Sequence, residues 1–169
     1  MAGPLDGVRI IDLTTMASGP LATSILADQG ADVIKIEGPG RGDGLRTIGP
    51  SRGGMSAIFT SFNRNKRAMV LDLREPDGVA VLDRLVAGAD VLVQNFRPGA
   101  VERMGIDEAR YRILHPELIY VSVSGFGEKG PMAQSAVYDS VMQAYSGVAM
   151  HQADLETGKP NFVRSVVCD

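Results

Sequence analysis

An α/β fold of Rossmann-like, three-layer type, built on a mostly parallel sheet, is what the sequence predicts. Two observations carry this. Short β-branched runs alternate with stretches of helical period, and the first such unit is a compact strand–helix–strand whose crossover requires parallel strands. The alternation then recurs along the chain, which predicts a sheet covered by helices on both faces.

In chain order, Val8-Arg9-Ile10-Ile11-Asp12-Leu13 has turn formers on either side and reads as a strand. Pro20 opens a helical stretch that runs through Leu26 and stops at Gly30. Ser18 or Gly19 is its start, because proline in the first helical position sacrifices no hydrogen bond. Val33 to Glu37 is the second strand and Ala68 to Leu73 the third. Pro76 then starts a helix with Val79, Leu82 and Val86 on one face, closed by Gly88. Val91 to Val93 is a strand, followed by Arg97-Pro98-Gly99 and a short helix to Met104. Asp107 caps another helix, which Pro116 ends, and Leu118 to Ser124 is a further strand. Val137, Val141, Met142, Tyr145, Val148 and Ala149 recur at helical spacing and predict one longer helix.

Two stretches stand apart. Residues 38–56 are rich in glycine, arginine and serine with no apolar period, and a loop of that length is usually functional or mobile. Phe162 to Asp169 reads as a strand that stops without a cap, turn or polar tail. Natural ends are usually polar and frayed, so the chain is expected to be one piece of a longer polypeptide.

Composition narrows the function. With 44% hydrophobic and 22% charged residues in 169, a folded soluble protein with one sizeable core is expected. A net charge of −3 and a pI of about 5.4 give no electrostatic case for nucleic acid or an anionic membrane. No apolar run approaches the ~20 residues needed to span a bilayer. Met1 to Gly7 has neither the basic region nor the apolar core of a signal peptide, and Cys168 is the one cysteine, so no internal disulfide is possible. Together these point to the cytoplasm. Cys168 reads as a small buried residue in preference to a nucleophile. His115 reads as a helix-end residue and His151 as a loop residue, neither with a catalytic or metal partner, so no metal site is expected.

In an open parallel sheet, ligands bind beyond the carboxyl ends of the strands. That rule selects Thr14 to Ser18, Glu37 to Arg41, Leu73-Arg74, Gln94 to Arg97, Gly125-Phe126-Gly127 and Asp169. Each segment alone is no more than a polar strand end. The set together suits a ligand carrying phosphates and a polar chain. The turn before Pro20 lacks the spaced glycines of a dinucleotide fingerprint, which argues against a dehydrogenase. Without those glycines, Glu37 reads as a solvated strand-end carboxylate or an ion-pair partner. The basic run Asn63-Arg64-Asn65-Lys66-Arg67 precedes a strand and reads as solvated surface at the opposite edge. Arg74, Arg97 and Arg103 lie nearer the ligand edge and are the better phosphate candidates.

An ordered series of motifs carries a resemblance. Pro4-Leu5-Asp6-Gly7-Val8-Arg9-Ile10-Ile11-Asp12-Leu13-Thr14, Gly19-Pro20, Gly30 to Glu37 and Asn65-Lys66-Arg67 are followed by Leu71-Asp72-Leu73 and Asn95-Phe96-Arg97-Pro98-Gly99. Met104-Gly105, Gly125-Phe126-Gly127, Gly130-Pro131, Tyr138-Asp139, Gln143-Ala144 and Ser146-Gly147 complete it. The series resembles the family III coenzyme A transferases, which include formyl-CoA and carnitine-CoA transferases and the related α-methylacyl-CoA racemases. It covers essentially the whole chain.

The resemblance implies an interlocked homodimer whose subunits are about twice this length or more, residues 1–169 being the N-terminal segment of the CoA-binding large domain. It places the CoA cleft along Thr15, Met16, Ala17 and Ser18, then Asn95-Phe96, Arg103-Met104 and Tyr138, with Leu71 and Arg74 near the nucleotide. It maps the family's nucleophilic aspartate onto Asp169. The implied substrates are an acyl-CoA thioester and a carboxylic acid acceptor, with no tightly bound cofactor. The family's glycine-rich loop is expected beyond residue 169, so no turnover is expected of this segment alone.

Departures from the family pattern bear on specificity. Formyl-CoA transferase-like members carry histidine and glutamine where this chain has Thr15 and Ala17, and arginine where Gly38 stands. Racemases carry His-Asp where this chain has Tyr138-Asp139. A tyrosine, with an ordinary pKa of about 10, is a poor general base near neutrality. The alternatives to a transferase are therefore a racemase-like enzyme with altered acid–base groups, or a non-catalytic CoA-binding module.

Overall fold

Residues 3–167 are described by the computed structural model, in two units that divide in sequence between Val123 and Ser124. The first unit opens with β1 (Arg9–Asp12), α1 (Ser18–Asp28) and β2 (Asp32–Glu37). A 3₁₀ turn at Gly44–Thr47 leads into β3 (Ser51–Arg52), β4 (Met55–Ser56) and α2 (Ala57–Phe62). There follow β5 (Arg67–Val70), α3 (Pro76–Val86), β6 (Val91–Gln94), α4 (Ala100–Met104), α5 (Glu108–Leu114) and β7 (Ile119–Ser122). The main sheet has the order β5-β2-β1-β6-β7 and every pair in it is parallel. The predicted fold class is the observed one.

Successive residues of a strand face opposite sides of a sheet, and the core divides accordingly. Ile10, Val33 and Val93 point to the side covered by α1, where Ala27 and Ala31 meet them. Ile11, Ile34 and Leu92 point to the other side and pack on Leu82 and Val86 of α3, Val101 of α4 and Tyr111 of α5. Helices on both faces make the three layers.

The α1 side changes character at the carboxyl ends of the strands. Asp12 and Lys35 are register partners there, and both are fully buried. That polar patch lies directly beneath the turn between β1 and α1.

Several sequence expectations are corrected. Residues 38–56 are ordered: Leu45 is buried, and the Ser56 hydroxyl donates to its carbonyl and accepts from the Phe59 amide. β3 and β4 form an antiparallel hairpin across Gly53-Gly54, both at positive φ, as a tight two-residue turn demands. The third predicted strand is shifted, since β5 starts at Arg67 and ends at Val70.

The second unit is helical and irregular. The single long helix is two short ones, α6 (Asp139–Tyr145) and α7 (Val148–His151), which includes His151. The break falls at Gly147, whose φ of 82° is left-handed and cannot continue a right-handed helix. Phe126 packs edge-on against Tyr145, ring centres 5.3 Å apart. Phe162 to Val167 is not a strand; no strand neighbours it among the described residues, and side chains of α6 take up its backbone groups. No described helix is long and apolar enough to cross a membrane.

Candidate functional site

The chain runs outward from β1 through β2 to β5 and then returns to β6 beside β1, so the order of the sheet reverses between β1 and β6. Crevices at such reversals are where open α/β sheets hold ligands. Here the crevice is stitched by one side chain. Asn95, just after β6, accepts from the Thr15 amide through Oδ1 (2.9 Å) and donates Nδ2 to the Thr15 carbonyl (2.8 Å). Phe96 follows, its amide donating to Gln94 Oε1 (2.8 Å).

Met16, the residue after Thr15, has a φ of 65°, which non-glycine residues rarely adopt. Its amide donates to Asp43 Oδ1 (2.9 Å), so the 38–56 segment holds the turn in shape. A Cβ on Gly44 would stand 2.8 Å from Met16 Sδ, so a side chain there would displace the methionine. Ala17 is the N-cap and Ser18 the first residue of α1.

Charges that composition assigns to the surface lie under this turn. Lys35 Nζ is 3.0 Å from Asp43 Oδ2 and donates to the Thr14 carbonyl (2.7 Å); the two side chains are 1% and 0% exposed. Lys66 Nζ donates to Asp12 Oδ2, the Pro20 carbonyl and Asn63 Oδ1, each at 2.9 Å. Asp12 also accepts from the Thr14 amide and hydroxyl and from Thr23 Oγ1. Burial pulls the Lys66 ammonium below the ordinary lysine value, against the pull of Asp12. The basic run is thus not all solvated: Arg64 pairs with Asp28 and Arg67 with Asp32 near the surface, whereas Lys66 is interior.

Glu37 is likewise buried, not solvated, and is an ion-pair partner. Its carboxylate accepts from the Asp43 amide (2.8 Å) and from Arg46 Nε and Nη2 (2.9 and 2.6 Å). Arg46 in turn lies 3.9 Å over the Phe59 ring. Burial pushes the Glu37 carboxyl upward, but the hydrogen bonds from Arg46 and Asp43 win and hold it below its ordinary value of 4.5. Because the folded value is the lower one, this stabilisation is complete above pH 4.5 and fades as pH falls through the folded value. Glu37→Gln should cost about 1.5–3 kcal/mol at neutral pH. The gap in melting temperature to wild type should narrow below pH 4.5; a gap unchanged down to pH 3 would contradict the assignment.

A cleft of about 730 Å³ opens among α3, α4 and α5 and the segment after β5, lined by Leu73 to Pro76, by Val79, Ala80 and Asp83, by Arg103 to Gly105, and by Arg110. It gathers three of the expected site residues, Arg74, Arg103 and Met104. Arg74 is bidentate on Asp72 (2.8 and 2.6 Å), and these hydrogen bonds hold the Asp72 carboxyl down at about 2. Arg110 is likewise taken by Asp83. Arg103 has no ion-pair partner among the described residues, which leaves it the better phosphate ligand of the three. Leu71 and Phe96 are half-buried against the core. Tyr138 belongs to the second unit, as the exposed N-cap of α6. Asp169 and Cys168 lie outside the described residues. Sequence reading missed Asp12, Asp43 and Lys66 as buried anchors; a lysine inside the apolar strand Val33-Ile34-Lys35-Ile36 was the one available signal.

The sequence profile described as CoA-transferase family III matches residues 5–169. The chain belongs to this family. It is 47% identical over 148 residues to an acetyl-CoA:oxalate CoA-transferase of Acetobacter aceti, covering 88% of this chain and 38% of that protein. It is 44% identical over 158 residues to the Homo sapiens succinyl-CoA:glutarate CoA-transferase, covering 93% and 36%. Among solved structures, a CAIB/BAIF family protein from Brucella suis superposes with a TM-score of 0.92 at 36% identity, over 98% of this chain and 45% of that one. The chain therefore spans little more than a third of the length of these curated family III relatives.

Proposed function

We propose that this chain is the N-terminal, CoA-binding portion of an acyl-CoA:carboxylate CoA-transferase that works through Asp169. The observation that carries this reading is the family match over residues 5–169, alongside relatives named for moving CoA between acids. The Asn95–Thr15 clamp and the Arg103 cleft support it by supplying an ordered crevice and an uncompensated cation at the ligand edge of the sheet. On this reading the Thr15–Ser18 turn, Asn95-Phe96 and Arg103-Met104 line the CoA cleft, with Leu71 and Arg74 near the nucleotide. The complete protein is a cytoplasmic homodimer on this reading.

The chemistry follows from a carboxylate nucleophile. Asp169 attacks the donor thioester carbonyl, forming an acyl–aspartyl anhydride and expelling CoA thiolate. The thiolate attacks the aspartyl carbonyl, which releases the donor acid and leaves an aspartyl-CoA thioester. The acceptor carboxylate attacks that thioester, and the thiolate then takes the acceptor acyl group, restoring Asp169. Each step replaces one difficult exchange by an easier one, with backbone amides stabilising the oxyanions.

The test is transfer itself, in the complete polypeptide, with acetyl-CoA or succinyl-CoA as donor and oxalate or glutarate among the acceptors. A new CoA ester is the expected product, and no transfer to any short carboxylate would overturn the reading. Arg103→Ala should raise KM for the CoA ester about ten- to a hundredfold, the worth of a hydrogen bond to a charged group, with kcat little changed.

A further inference from the structure

Val163, Ser165 and Val167 belong to an irregular segment that bends at Arg164-Ser165. No strand among the described residues receives their backbone groups; α6 does. Gln143 Oε1 accepts from the Val163 amide (2.8 Å), and its Nε2 donates to the carbonyls of Val163 (3.2 Å) and Ser165 (3.4 Å). Asp139 Oδ1 accepts from the Val167 amide (2.7 Å), and Oδ2 accepts from Gln143 Nε2. Gln143 is 1% exposed. A primary amide offers donor and acceptor together, as a peptide group does, so one glutamine can replace a strand neighbour. A buried amide of this kind is costly unless its groups are paired, and here the backbone of 163–165 pairs them.

We propose that Gln143, together with Asp139, is a positioning residue for the transfer reaction: Gln143 holds the backbone of Val163 and Ser165 and Asp139 that of Val167, the segment that leads in sequence to Asp169. This rests on the reading of Asp169 as the nucleophile. Attack on a carbonyl requires the reacting atoms about 3–3.5 Å apart, and a misplacement of roughly 1 Å costs on the order of a hundredfold in rate. The hydrogen bonds of Gln143 go to Asp139 and to the backbone of Val163 and Ser165, so its loss is expected to slow chemistry and spare CoA affinity.

The experiment measures, in the complete polypeptide, the single-turnover rate of the acetyl-CoA-dependent adduct by intact mass, and acetyl-CoA affinity by equilibrium binding. Gln143→Leu keeps the bulk and removes every hydrogen bond; Gln143→Glu keeps the acceptor for Val163 and sets a carboxylate against Asp139 and two carbonyls. Each is expected to slow adduct formation roughly a hundredfold with affinity unchanged. Should Gln143→Leu fail to melt cooperatively, Gln143→Glu decides. Adduct formation at the wild-type rate, or affinity falling in step with rate, overturns the inference. Asp169→Ala separates the two ideas: an adduct that survives it defeats the nucleophile reading, whereas its loss there beside wild-type rates in the Gln143 variants defeats only the positioning role.

Discussion

Asp169→Ala is expected to lower CoA transfer by the complete enzyme on the order of 10⁴-fold, with acyl-CoA binding retained. The magnitude is that of removing one covalent participant while the binding surface survives. Asp169→Glu should also be strongly impaired, because one extra methylene moves the carboxylate by more than the tolerance of an aligned attack. Steady-state transfer and equilibrium binding of the same CoA ester check both halves. Turnover within a few-fold of wild type would place the nucleophile elsewhere.

Asp12→Ala should cost about 3–5 kcal/mol, the price of stranding a buried charge. Four donors converge on that carboxylate, among them Lys66 Nζ, whose side chain is 1% exposed. Native domains are stable by only about 5–15 kcal/mol, so the variant should sit near the edge of folding. Adding Lys66→Met removes the stranded ammonium and should recover part of the loss, because a buried pair replaced by apolar groups is often close to neutral. Urea denaturation of the single and double variants tests this; a double variant less stable than Asp12→Ala alone would mean that Lys66 does not depend on Asp12.

Much of the fold was legible because it is written in local pattern. Ile10-Ile11, Val33-Ile34 and Val91-Leu92-Val93 announce strands by their β-branched runs, and Pro76 and Asp107 mark helix starts that the structure reproduces. Charge fate was not legible. Lys66 sits between Arg64 and Arg67 in one basic run, and its buried partners, the distant Asp12 and Pro20 carbonyl among them, take the lysine inside. Whether Glu37 is solvated or paired stayed open in the sequence because its partner Arg46 comes from a segment without periodicity, held instead by buried Leu45, Asp43 and Ser56.

The site was legible in part, for the same reason. The strand-end rule selected Thr15 and Asn95 separately as candidates, but their mutual clamp joins positions 80 apart and leaves no local trace. Arg74 and Arg103 read alike as cations; the neighbouring Asp72 occupies the first, and the second stays unpaired among the described residues. Phe162 to Val167 has the composition of a strand, and what it lacks among the described residues is a strand neighbour, which no inspection of the segment itself reveals.

The central claim is a covalent CoA ester on Asp169, and peptide mass mapping tests it most directly. The complete enzyme is incubated with acetyl-CoA or succinyl-CoA, quenched in acid, digested, and searched for modified peptides. The account predicts that the peptide containing Asp169 gains CoA through a thioester that hydroxylamine removes, and that Asp169→Ala gains nothing. CoA or acyl mass on a different peptide, or turnover with no modified peptide at any time point, would contradict it.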